Sequence, residues 1–182
     1  KYLRGLFTGG TLADEALFLA HRELGGVRSN NQTDPAWTMK DPLVSEGHVV
    51  IDLGDDFFTA GKPHPMIDPA ARAGRLEKEG NDPATAVILL DIVLGYGSHS
   101  DPAGAVVPAI RAARAAAAAR GGYLPVIASV TGTTADYQGM ASQVAKLQAE
   151  GVVVMASNYR ASMVAVDIAR IAAGKAATGG AR

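Results

Sequence analysis

The sequence predicts an α/β protein of three layers, a parallel β-sheet held between two layers of helices. Three observations predict it. Five short apolar runs alternate with five stretches of helical period along 182 residues, the pattern of repeated strand–helix units. The central run, Ala86–Leu94, is apolar apart from Asp91, as a strand buried on both faces has to be. Most of the runs end in glycine, serine or threonine ahead of the next helix, which places any ligand-binding loops beyond the carboxyl ends of the strands.

Taken in order, Leu3–Thr8 is a strand that stops at Gly9-Gly10. Thr11 is the expected N-cap of a helix whose apolar positions Leu12, Ala16, Leu17, Leu19, Ala20 and Leu24 recur at helical spacing up to Gly25-Gly26. Residues 27–47 carry turn signals (Ser29-Asn30-Asn31, Asp34-Pro35, Asp41-Pro42) and no period, and a stretch that long is expected to be functional or an interface arm. His48–Leu53 is the second strand. Phe57–His64 reads as a loop, and Pro65 or Met66 as the start of a helix running to about Glu79. After the central strand, Asp101-Pro102 caps a helix from about Ala103. Tyr123–Val130 is the fourth strand, with a helix at about Gln138–Ala149. Val152–Ala156 is the fifth strand, and Ala161–Ala173 the last helix. The expected strand order is 2-1-3-4-5, the flavodoxin type.

Composition excludes several classes. A net charge of −1 argues against a nucleic-acid surface, and without cysteine there are no disulfides, thiol nucleophiles or thiolate metal sites. No apolar run is long enough to span a bilayer, so a cytoplasmic location is the expectation. Residues 1–174 read as one domain, and 175–182 as a flexible tail. The chain starts without methionine and enters a strand at once, so it is expected to be part of a longer polypeptide or a processed product.

Glycine and hydroxyl residues beside helix starts make receptive places for phosphate or carboxylate, because free N–H groups and the helix dipole converge there. Thr8–Thr11, Gly61–His64, Gly95–Gly97 and Thr131–Thr134 offer four such loops. Each is equally readable as a plain turn. In Gly61–Asp68, Lys62 and His64 form either a basic clamp on an anion or part of a surface turn with Pro65 as first helical residue. His21, His48, His64 and His99 do not fall at ligand spacing, and no metal site is expected. Asp91 is a structural acid, a base or a phosphoacceptor. It sits where receiver domains carry theirs, yet the acidic pair after the first strand and the lysine after the fifth are missing. A flavin site would need more aromatic residues than Trp37, Tyr96 and Tyr137. Ser98, His99 and Asp101 lie too close in sequence to converge as a triad.

Leu6–Leu12 (LFTGGTL), Gly61–Asp68 (GKPHPMID), and Leu89–Gly97 (LLDIVLGYG) followed by Asp101–Gly104 (DPAG) resemble the C-terminal portion of FdrA-type proteins, which are similar to succinyl-CoA synthetases. The resemblance covers roughly residues 2–174. It implies a flavodoxin-like ligase–CoA domain packing against other domains of the same polypeptide or a second subunit, in an oligomer, with no membrane or nucleic-acid partner. It further implies a reaction through an acyl phosphate cradled by helix starts, with Gly61–Met66 matching one such start. On this reading Gly9, Gly10, Thr11, Lys62, Pro63 and His64 bind the anion. Tyr96, Thr131 and Thr133 orient the acyl group, and no catalytic residue is assigned. The phosphohistidine setting, the ATP-grasp segment and a CoA-binding Rossmann domain of the synthetases are not found in these residues. The domain is therefore expected to hold no cofactor and to ligate nothing alone. CoA or an acyl or carbamoyl phosphate would be substrate in the assembled protein, with carbamoyl transfer involving oxamate or oxalurate as the specialised form. The contrasting expectation is a non-catalytic module that packs against a partner ligase domain.

Overall fold

The computed structural model describes residues 1–174, and the expected tail at 175–182 lies outside the described residues. Five parallel strands stand in the order β2-β1-β3-β4-β5: β1 Tyr2–Phe7, β2 Val49–Asp52, β3 Thr85–Val93, β4 Val126–Thr131 and β5 Val153–Met155. The helices are α1 Gly10–Leu24, α2 Asp56–Thr59, α3 Ala70–Asn81, α4 Pro102–Ala119, α5 Met140–Ala149 and α6 Asn158–Ala172. The three-layer class and the strand order are those the sequence predicts.

Strand β3 shows why. Its alternate residues go to different cores: Leu90 and Ile92 pack with Leu76, Val106, Ile110 and Leu147 beneath α3, α4 and α5, while Val87 and Leu89 pack with Ala16, Ala161 and Val166 beneath α1 and α6. Each fully buried aliphatic side chain is worth about 1.5–3 kcal/mol, so a one-residue slip of this strand would exchange two complete cores. Helices α3 and α4 cross at Gly80, where an added Cβ would lie 2.2 Å from the Cβ of Ala113. No helix among the described residues is long and apolar enough to cross a membrane.

Several local expectations change, and the short helix α2 stands at the start of the stretch Phe57–His64 that reads as a loop. The helix expected from Pro65 or Met66 begins at Ala70 instead. His64 closes a turn by accepting from the Ile67 and Asp68 N–H groups (2.8 and 3.0 Å), and the Met66 carbonyl is taken by His99 N–H (2.7 Å). Asp68, accepting from Ala70 N–H at 2.9 Å, then precedes the real start. Residues 27–47 are also ordered. Arg28 bridges to Val49 along the outer edge of β2 and Ser29 to Thr38, and the Trp37 ring lies over Gly26. This strap covers the edge strand.

The amino ends of the strands are closed by ions. Arg4, 1% exposed, pairs with Glu79 and Asp82 (both 2.8 Å) and donates to the Gly47 carbonyl. Arg75 adds Glu79 at 2.7 Å, Ser45 and the Pro42 carbonyl. The carboxyl ends, by contrast, open onto loops.

Candidate functional site

The opening is organised by one buried acid. Asp91 accepts from Thr8 N–H with both oxygens (3.0 and 3.2 Å) and from the Thr8 hydroxyl at 2.5 Å. Arg72 reaches over from α3 to its carboxylate (2.9 Å) and its carbonyl (2.5 Å). Burial pushes the Asp91 carboxyl above the usual range, opposed by the Arg72 charge and the Thr8 donations, and burial lowers Arg72. Two charges out of water persist only when paired and hydrogen-bonded this closely. Asp91 is thus a structural clamp that fixes the end of β1.

With Thr8 pinned, the chain turns into α1 at once. Gly9, not Thr11, is the N-cap: its backbone is extended (φ −169°, ψ 156°), it offers no side-chain cap, and nothing lies within 4 Å of where a Cβ would stand. Thr11 is already helical and is exposed. The first turn, Gly10–Leu12, therefore points N–H groups outward without a side-chain acceptor, at the positive end of a 15-residue helix.

Two side chains from the β2 flank frame this start. Asp52 accepts from Gly54 N–H (2.8 Å) and Asn31 Nδ2 (3.3 Å), and its Oδ2 lies 3.3 Å from the point a Cβ on Gly10 would occupy. Asn30 holds Asp52 in place by bonding its carbonyl and its N–H (2.9 and 3.0 Å). His64 lies over Gly54, where an added Cβ would meet His64 Nε2 at 2.6 Å, the Thr8 carbonyl at 2.7 Å and Asp52 Oδ1 at 3.1 Å. His64 Nδ1 accepts from Met66 N–H at 3.2 Å, so Nε2 is the end turned toward the strands. The Asp52 charge makes this flank unfavourable for an anion, and the α6 side of the opening lies away from that charge.

On that side lies a cavity of about 640 Å³, lined among others by Leu12, Thr131, Met140, Met155 and Asn158. The structure thus brings Gly9, Gly10, Thr11 and His64 around one opening, with Thr131 beside it. Lys62 lies elsewhere, exposed at a separate cavity with Leu43, Leu53, Phe57 and Phe58. It is at no helix start, nor is the exposed Pro63. Tyr96 is fully exposed, and Thr133 is spent on Asp136, to which its N–H donates at 2.5 Å. Asp101 caps α4 as expected, accepting from Gly104 N–H at 3.1 Å. His21 stacks edge-on with Trp37 and His48 with Tyr2. Among the described residues no three His, Cys, Asp or Glu side chains are grouped to hold a metal ion. Sequence reasoning missed Asp52, Arg72 and Asn158, isolated polar residues that give no periodic signal.

Comparison with known proteins agrees with this architecture. The model of the CoA-ligase family matches residues 6–168. A protein of Escherichia coli (strain K12), "Uncharacterized protein YahF", is 47% identical over 165 residues, which is 91% of this chain and 32% of that protein. The chain therefore spans about a third of the length of this relative.

Proposed function

This chain belongs to the CoA-ligase family, and on that premise we propose that it is the anion-holding domain of an FdrA-type, acyl-CoA-synthetase-like enzyme. Its task is to hold the phosphoryl or acyl-phosphate group of a small substrate at the start of α1. The observation that carries the reading is the bare N-terminus of that helix, capped by Gly9 and opening at the carboxyl edge of the sheet. The N–H groups of Gly10, Thr11 and Leu12 and the helix dipole supply positive potential, and His64 Nε2 faces the same opening. Because Thr8 is locked to Asp91, which is itself held by Arg72, these donors are fixed before substrate arrives. Donors so fixed stabilise charge that develops as an acyl phosphate forms or breaks.

Other domains of the polypeptide, or a second subunit in an oligomer, supply the nucleophile and the remaining substrate contacts; CoA binds in that assembly. The narrower form of the reading is carbamoyl transfer to or from oxamate. Carbamoyl phosphate is itself an acyl phosphate and requires the same cradle.

Thermal unfolding against phosphate, carbamoyl phosphate, oxamate and CoA tests this. A ligand bound only by the folded state stabilises it by about 2.7 kcal/mol at 100 times its dissociation constant. Gly9→Asp is the decisive variant. The position is extended and spacious, so an aspartate there caps α1 with little change in stability, about a few tenths of a kcal/mol, and blocks the anion. Phosphate and carbamoyl phosphate are expected to protect the native chain and not Gly9→Asp. Protection that survives Gly9→Asp, or no protection by either anion, refutes the reading. Preference for carbamoyl phosphate over CoA marks a transferase, and the reverse a synthetase.

A further inference from the structure

The α1 opening leaves Lys62 of the Gly61–Asp68 motif unused, and the surroundings of Lys62 point to another role. It stands at a cavity of about 440 Å³, a size that encloses a small molecule. The floor is one face of α3, where Ala71, Gly74, Arg75 and Lys78 recur at helical spacing. Leu43 of the strap, Leu53 just after β2, and Phe57 and Phe58 of α2 complete the lining. The two phenyl rings meet edge to face with centroids 5.1 Å apart. Gly74 keeps the floor low, since nothing lies within 4 Å of where its Cβ would stand.

The charges at this cavity are all positive. None of the described lining residues is acidic. Arg75 is buried and already neutralised, pairing with Glu79 at 2.7 Å and donating to Ser45 and the Pro42 carbonyl. Lys78 is exposed and donates to the Leu43 carbonyl at 2.6 Å, which holds that wall and leaves the ammonium charge unbalanced. Lys62 is exposed too, and makes no ion pair or side-chain hydrogen bond among the described residues. Neighbouring acids are turned to the backbone: Asp41, Asp55 and Asp68 accept from the N–H groups of Leu43, Phe57 and Ala70 (2.8, 2.9 and 2.9 Å). An apolar trough bordered by two lysines that no acid offsets is complementary to an anion carried on an apolar body.

We infer that this cavity is a second ligand site, which takes a monocarboxylate with a medium-length apolar body. The body lies along α3 between Leu43 and Phe57, and the carboxylate meets Lys62 and Lys78. A compact anion such as phosphate leaves the trough empty, and a second charged end would be desolvated against leucine and phenylalanine without a partner. The site shares no lining residue with the α1 opening, so the inference does not depend on where a phosphoryl group is held.

The test is calorimetric binding of octanoate to the full chain, compared with octanamide (the same body without charge), octylammonium (the opposite charge) and acetate (the charge without the body). Octanoate is expected to bind about fivefold more tightly than octanamide, the upper scale for a charge pair at an exposed rim. Octylammonium should bind more weakly still, and acetate not measurably. Lys62→Gln and Lys78→Gln together should bring octanoate and octanamide within about twofold of each other. Gly74→Leu fills the trough from an open position, in a helix that gains propensity by losing glycine. It should weaken octanoate at least about tenfold through lost apolar burial, with the circular dichroism spectrum unchanged. Absence of octanoate binding, equal or tighter binding of octanamide or octylammonium, or affinity that survives Gly74→Leu overturns the inference. Self-association of the chain that Gly74→Leu abolishes assigns this face to a second copy and overturns it as well. If Gly74→Leu fails to fold, a preference for octanoate that persists in the double lysine variant overturns it.

Discussion

Asp91 and Arg72 hold the candidate site in shape without touching its opening. Asp91 is 1% and Arg72 2% exposed, so either one alone would be a charge in an apolar medium. Arg72→Met is expected to destabilise the fold by about 3–5 kcal/mol, because it strands the Asp91 carboxylate. Urea unfolding of the variant measures this, and a loss below about 1 kcal/mol would show that the pair is not the clamp described. The two partners differ in how far the sequence exposes them. Asp91 stands out as the one acid in an otherwise apolar run. Arg72 is one of several arginines, 19 residues earlier, and only the packing of α3 on the sheet selects it. Asp52 is hidden for a similar reason: at the end of a strand a carboxylate looks like a turn residue. Its nearness to Gly10 depends on the β1–β2 register.

At the scale of elements, strands are the most legible, because a strand buried on both faces is a short and nearly continuous apolar run. Helix starts are less so. Pro65-Met66 has the residue types of a first turn, but the backbone groups a helix would need there are committed to the His64 turn and to His99. Residues 27–47 have no period because their order comes from pairing with β2 and from Trp37, not from a buried face of their own. The α3–α4 crossing gives an element-level prediction. Alanine in place of a helical glycine ordinarily gains up to about 1 kcal/mol. At Gly80 the new Cβ would stand 2.5 Å from the Cα of Ala113, so backbone must move and the sign reverses. Gly80→Ala is expected to lower stability by about 1–3 kcal/mol, and Ala113→Gly in the same chain to recover part of the loss, both read from thermal unfolding.

For the molecule as a whole, the acid limb of stability follows from three carboxylates. Burial works to raise Asp82 and Asp101, but Arg4 and Ala84 N–H hold Asp82 below the ordinary range, and Lys146, Gln143 and Gly104 N–H do so for Asp101. Glu150 is lowered mainly by its hydrogen bond from Arg111. A carboxyl depressed in the folded state adds stability above its unfolded pKa and loses it as pH falls through the folded value. The midpoint of unfolding should therefore be flat near neutrality and fall below about pH 4, with a shallower fall in Asp82→Asn and Asp101→Asn. Asp91, raised by burial, acts with the opposite sign, so it does not contribute to that fall. A midpoint in Asp101→Asn that drops as steeply as in the native chain would remove Asp101 from this account.

The strap over β2 has one more consequence. Strand-by-strand growth of a β-assembly needs a free edge at each end of the sheet. Here Arg28 already occupies the hydrogen-bonding positions beside Val49, while the opposite edge is the three-residue strand β5, with Val153 about half exposed. A sheet that can accept a neighbour on one side only can form a closed pair through that side, but it cannot polymerise.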